Sequence, residues 1–105
     1  MRSKVPNKIT SEHVDEIVNL VETIVCMIVD NAETVTITPT VSENKTGMII
    51  EINVDPDDMP FLLGRDGQNI GAIDRLTRAA CARLGVDCHV NVLERHDMTE
   101  RRTDG

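Results

Sequence analysis

Apolar residues recur along the chain with two different periods, and the switches between them mark out its elements. Val14, Ile17, Val21, Ile24 and Ile28 follow one another at steps of three and four. That is the stripe of a helix with one buried face, and it predicts a helix over 12–30. Thr10 or Ser11 can cap its start, and Glu12, Asp15 and Glu16 suit the positive end of its dipole. From residue 34 the period shortens to two. "TVTITPTV" (34–41) and "MIIEINV" (48–54) read as strands joined by the turn "SENKTG", which makes an antiparallel hairpin. Pro39 has no N–H to give to a ladder, so the first of these strands belongs at a sheet edge. Met48, Ile50, Ile52 and Val54 share the face that should be buried.

"DPDDMPFLL" (55–63) opens a second helix. Asp55 caps it, Pro56 suits the first helical position, and Asp57 and Asp58 favour the dipole. Pro60 keeps this helix short or irregular. Helical spacing resumes at Ile70, Ile73, Leu76, Ala80 and Leu84, for a helix over 68–84 that Gly85 stops. "VDCHVNVLE" (86–94) alternates Cys88, Val90 and Val92 inward with His89 and Asn91 outward, a third strand. The element order is α-β-β-α-α-β. Two helices between the second and third strands are long enough for a crossover, so those strands can run parallel. The expectation is an α+β domain with three helices on one face of a three-stranded mixed sheet. The other face, with Thr36, Thr38, Glu51, Asn53, His89 and Asn91, stays wet.

Composition changes this picture in three ways. A chain of 105 residues supports one modest core. Phe61 is its single aromatic residue, so the core is aliphatic and the stacking platforms of many single-strand binders are missing. The net charge of -7 argues against strong nucleic-acid binding on its own, but the charge is uneven. Residues 1–59 hold 4 Lys/Arg against 11 Asp/Glu, whereas residues 60–95 hold five Arg against four acids. "MRSKVPNK" is followed by no apolar run of a signal peptide, and the apolar region around Ile17–Val29 is broken by Asn19, Glu22 and Thr23. The expectation is a cytoplasmic protein, free of the membrane, whose Cys26, Cys81 and Cys88 are reduced thiols among apolar neighbours.

The chemistry concentrates in "LLGRDGQNIGAIDRL" (62–76). Two glycines around Arg65 and Asp66 allow a tight link between helices and a close approach of another backbone. The helix that follows turns its N–H groups and positive end toward that place, where a phosphodiester fits. A bare glycine pair could be only a turn, but Leu62, Leu63, Gly64, Gly67, Ile70 and Ile73 match apolar-apolar-G-x-x-G-x-x-I-x-x-I at every fixed position. That pattern, with the element order around it, resembles the type II KH domain, the bacterial form. The run from Ile52 to Gly85 is most similar to the small single-KH RNA-binding proteins of the KhpA family, over roughly residues 12–94.

The resemblance implies a non-enzymatic protein without cofactors and a KH domain over 11–95; the residues on either side read as a polar arm (1–10) and a disordered polar tail (96–105). In KH domains the loop clamps the backbone of single-stranded RNA beside an apolar groove. Carried onto this sequence, the RNA-binding residues are Leu63, Gly64, Arg65, Asp66, Gly67, Gln68, Asn69, Ile70 and Ile73, with Lys45 reaching in from "SENKTG". Proteins of this kind act as RNA chaperones and as dimers, with themselves or with a larger KH-containing protein. The chain departs from the family at Asp66, which is acidic between the glycines, and at Pro60 and Phe61, where Gly and Lys are frequent. Both changes lower phosphate affinity, so the expected binding is weak and of low sequence specificity. The rival reading is a protein-interaction adaptor on a KH scaffold, with RNA binding reduced or lost.

The remaining chemistry is structural. Cys81, Cys88, His89 and His96 point in different directions and form no metal site. His13 is a helix-surface residue without an evident partner. Asp57 and Asp58 are helix-start residues, not an acid/base pair. Arg75, Arg78 and Arg83 either extend a phosphate track or form a solvated face paired with Asp74.

Overall fold

The computed structural model describes residues 8–93. Helix α1 (Ser11–Ile28) packs Ile17, Val21 and Val25 into the core. Thr10 is its N-cap. The Thr10 hydroxyl accepts from the His13 N–H at 3.1 Å, and His13 Nδ1 accepts from the Thr10 N–H at 3.4 Å. The two residues form a capping box, so His13 has a partner that its type concealed: histidine here takes the role usual for Glu or Gln. Part of the expected polar arm belongs to the folded unit. Ile9 is buried and donates its N–H to the Lys45 carbonyl at 2.7 Å. An apolar residue with polar neighbours on both sides has no periodicity to announce it. The rest of the arm, and the tail over 96–105, lie outside the described residues.

Strands β1 (Thr36–Val41) and β2 (Gly47–Asn53) form the expected antiparallel hairpin, with Ile37 opposite Ile52 and Pro39 opposite Ile50. β3 (Asp87–Val92) runs parallel to β2 on its other side, with Ile50 opposite Val90. The sheet order β1-β2-β3 leaves Pro39 on an edge strand, where its missing N–H costs no ladder bond. Met48, Ile50, Ile52, Val54, Cys88 and Val90 are buried under the helices. The threonines of β1, with His89 and Asn91, face outward.

Helix α2 is short, Met59–Leu63, and enters through a tight turn over Pro56–Asp58. The Asp55 carboxylate accepts from the Asp57 N–H at 2.9 Å. Asp58 does more than start a helix. It is fully buried, and its carboxylate accepts from the Asp30 N–H (3.2 Å), the Asn31 N–H (2.9 Å) and Asn31 Nδ2 (3.1 Å). Burial pushes this carboxyl up, but the hydrogen bonds from Asn31 and Asp30 outweigh it and hold the group below its ordinary value of 3.8. Asp58 thereby fastens the chain leaving α1 to the turn that leads into α2.

Helix α3 (Gln68–Arg83) ends in a Schellman motif. The Gly85 N–H reaches the Ala82 carbonyl and the Val86 N–H the Cys81 carbonyl, with Gly85 at φ 78°. This sharp reversal sets the last turn of α3 against β3. It brings Cys81 and Cys88, both buried, to a Cα–Cα distance of 6.4 Å, close enough for a disulfide to join them. The expectation of three cysteines separated among apolar neighbours is corrected in one respect: two of them face each other. Their inward directions were legible, but the turn that makes them face each other acts in three dimensions. Cys26 is the free cysteine and half-buried.

Candidate nucleic-acid interface

The link between α2 and α3 is built by its glycines. Gly64 adopts φ 74°, ψ 173°, a region open essentially to glycine alone. A Cβ there would lie 2.6 Å from Asn69 Cγ and 2.9 Å from the Asn69 backbone N. That closeness has a use. Asn69 Nδ2 donates to the Phe61 carbonyl at 2.8 Å, satisfying one of the carbonyls left open at the end of α2. One turn later the Gly67 N–H closes on the Gly64 carbonyl at 3.1 Å.

Asp66 (φ 57°, ψ 27°) and Gly67 (φ 74°, ψ 18°) are both left-handed. Aspartate is one of the few residues with a side chain that visits this region readily, so Asp66 has a backbone reason to be there. Gly67 is different from Gly64: nothing lies within 4 Å of where its Cβ would stand. It also offers α3 no side-chain cap. At the start of α3 the Gly67 N–H closes on the Gly64 carbonyl and the Gln68 N–H on the Arg65 carbonyl, beside the exposed side chains of Arg65 and Asp66.

Next to this loop lies an apolar groove of about 660 Å³, lined by Val54, Pro56, Met59, Pro60, Leu63, Gly64 and Arg65. Val54 at the end of β2 and Met59 and Leu63 on α2 supply its apolar surface. Arg65 is the charged side chain among its lining residues. The arrangement suits a ligand with a flat apolar part for the groove and an anion for the loop.

The structure brings together Leu63, Gly64, Arg65, Asp66, Gly67, Gln68 and Asn69. Asn69 has its amide committed to Phe61. Ile70 is half-buried against the core and Ile73 is buried in it, so neither lines the groove. Lys45 is not brought to the loop. It sits before Gly47, at the opposite end of β2 from Val54, with its carbonyl held by Ile9; seven strand residues span on the order of 20 Å. The resemblance implies a groove wall from the short helix and the start of the next one; Pro56, Met59 and Pro60 belong to that short stretch without having been singled out, and Val54 of β2 is an addition. The spacing of Met59 and Leu63 by four was a signal, whereas Val54 joins them only through the fold. Phe61 is 49% exposed on α2. Arg78 is paired with Asp74 at 3.3 Å, and the other Asp74 oxygen accepts from the Val90 N–H at 3.1 Å. Among the described residues, no three His, Cys, Asp or Glu side chains gather as a metal site, and no helix is long and apolar enough to cross a membrane. His96 and Arg95 lie outside the described residues.

A three-stranded mixed sheet, helices in the order α-β-β-α-α-β and a G-x-x-G link at the α2–α3 junction define a KH domain of type II, an RNA-binding class of fold. The family model for the KhpA/KhpB KH domain matches residues 18–92, and the chain belongs to that family. Among solved structures it is similar to Era in complex with MgGDPNP and nucleotides 1506–1542 of 16S ribosomal RNA. That similarity has a TM-score of 0.51 and 19% identity over 72% of this chain and 28% of the other. It is also similar to a single-residue variant of Aquifex aeolicus Era bound to GDP.AlF4-, with a TM-score of 0.54 and 15% identity over 88% of this chain and 33% of the other. The chain thus spans about a third of the length of the solved chains it matches, and at these identities the likeness is one of fold. No curated protein matches the sequence.

Proposed function

We propose that this protein holds the backbone of single-stranded RNA at the Gly64–Gly67 loop and lays bases along the adjoining groove, without catalysis. The observation that carries the reading is the open space at Gly67, at a helix N-terminus without a side-chain cap, next to an apolar groove with one cation. Phosphates meet backbone N–H groups and Arg65 there, and such contacts carry no sequence information. Binding is accordingly of low specificity. It is weak per domain, because Asp66 opposes the same phosphates that Arg65 attracts. Family membership and the fold shared with Era support the RNA assignment, and a soluble, cytoplasmic site of action accords with it. A second subunit, either another copy or a larger KH-containing protein, supplies avidity that one groove lacks. The half-exposed Phe61 ring is an available contact for it, and it is also what an adaptor with no RNA role would use. Titrating the protein with unrelated single-stranded oligoribonucleotides tests the proposal. Similar micromolar or weaker affinities for all support it, and no binding to any of them hands the assignment to the adaptor reading.

A further inference from the structure

Cys81 and Cys88 join two elements that the backbone alone connects only through the Leu84–Gly85–Val86 reversal. Cys81 lies in the last turn of α3 and Cys88 at the second residue of β3. The Cα–Cα distance of 6.4 Å lies within the range a disulfide spans. The surroundings serve the reduced form as well. Cys88 Sγ lies 3.7 Å from the Thr77 carbonyl oxygen, within reach of a thiol donor. Both cysteines are at most 1% exposed, so a reagent reaches neither while the end of α3 stays closed.

We propose that this pair is a reversible redox staple, which closes by exchange with a low-molecular-weight disulfide and is then shielded from reductants by the fold. In the closing reaction one cysteine thiolate attacks a sulfur of the small disulfide and expels one small thiolate. The other cysteine thiolate attacks the protein sulfur of that mixed disulfide, forms the Cys81–Cys88 bond and expels the second. Two protein thiols are oxidised to one disulfide, one small disulfide is reduced to two thiols, and the two protons pass to the departing thiolates. The mixed disulfide does not fit in a packed core, so exchange takes place while the α3–β3 end is open. The staple therefore forms during folding or a local opening, and it persists afterwards. It fastens the C-terminal end of α3, on the order of 20 Å from the glycine loop at the other end of that helix. Its effect is on the persistence of the fold, whatever occupies the groove.

The test uses the whole chain and oxidised glutathione as the probe. Protein refolded with that disulfide is denatured, alkylated with iodoacetamide and weighed. The expected result is a single modified site, Cys26, carrying either the alkyl group or glutathione, against three alkyl adducts for protein refolded with reductant, and a Cys81–Cys88 linked peptide after digestion. The linked form should melt higher by on the order of 10 °C. That difference should survive in Cys26→Ser and vanish in Cys81→Ser and Cys88→Ser. Reduction of the folded, linked form should be slow and should speed up near its melting point. Three adducts under both conditions, a link through Cys26, or equal melting of linked and unlinked protein would each overturn the proposal.

Discussion

The two loop glycines should respond in opposite ways to substitution, because only one of them is enclosed. Gly64→Ala places a methyl group 2.9 Å from the Asn69 backbone N and 2.6 Å from its side-chain Cγ. The side chain can move only by abandoning its bond to the Phe61 carbonyl, and the backbone N cannot move without shifting the start of α3. A backbone region open to glycine alone costs about 1–3 kcal/mol for another residue, and the lost hydrogen bond adds about 1 kcal/mol. The sum is about 2–4 kcal/mol, a fall in Tm on the order of 15 °C for a domain of this size. Gly67→Asp meets no neighbour. Its cost is only that of the left-handed conformation, about 1 kcal/mol, which Asp66 already adopts next to it. It nevertheless puts a carboxylate where a phosphate must approach, and a repulsion of about 1–4 kcal/mol at contact distance removes most or all of the binding. Thermal melting by circular dichroism and RNA titration at a temperature where all forms are folded separate the two effects. If Gly64→Ala melts like the wild type, the enclosed geometry is wrong. If folded Gly67→Asp binds RNA like the wild type, the open side of the loop is not where RNA sits.

Three further outcomes follow from the structure. The Asp58 carboxyl titrates lower in the fold than in the open chain, so it contributes stability in full above pH 3.8 and loses it as pH falls through its depressed value; acid melts of Asp58→Asn should start from a lower Tm and lose less over that window, and parallel curves would show that the buried bonds to Asn31 carry no such linkage. Phe61→Lys replaces a ring that is 49% exposed, so Tm should move by only a few degrees while self-association falls in solution-mass measurements; a loss of several kcal/mol in a protein that was monomeric throughout would make Phe61 plain core. Lys45→Ala removes a cation from the far end of β2 and should leave RNA affinity within about twofold, measured beside the loop variants; a loss equal to that of an Arg65 variant would place RNA across the whole domain.

Most of the architecture was legible because it rests on periodicity and on turn residues with local mechanisms. The 3.6-residue stripes of α1 and α3, the alternation in β2 and β3, Pro39 at the edge and Gly85 at the helix end all act within a few residues. The features that escaped act across the chain. Asp58 read as an ordinary helix-start acid, yet its partners Asp30 and Asn31 stand 28 and 27 residues away. Cys81 and Cys88 each read as a small hydrophobe, and only the fold turns them toward each other. The site divided in the same way. The glycine loop carried its own signature, whereas the groove wall of Val54, Pro56, Met59 and Pro60 exists only once β2 and α2 converge. Pro60 in particular read as a departure that weakens binding, and its ring is part of that wall. Asp66 read purely as a charge, and the left-handed backbone beneath it was not visible in the residue order.

In the proposed complex, phosphates sit at the Arg65–Asp66 turn, with the two charges nearly cancelling. The most direct measurement is affinity for one single-stranded RNA against salt concentration, for the wild type, Asp66→Lys and Arg65→Asp, with circular dichroism confirming each fold. Replacing the opposing carboxylate by a cation should tighten binding about tenfold at low salt and steepen the log–log salt slope by roughly one phosphate contact or more. Arg65→Asp should abolish binding, since two carboxylates then face the phosphates. Three folded proteins with the same affinity and the same slope would contradict the account, and the glycine loop would then be a structural link between two helices, with no part in holding RNA.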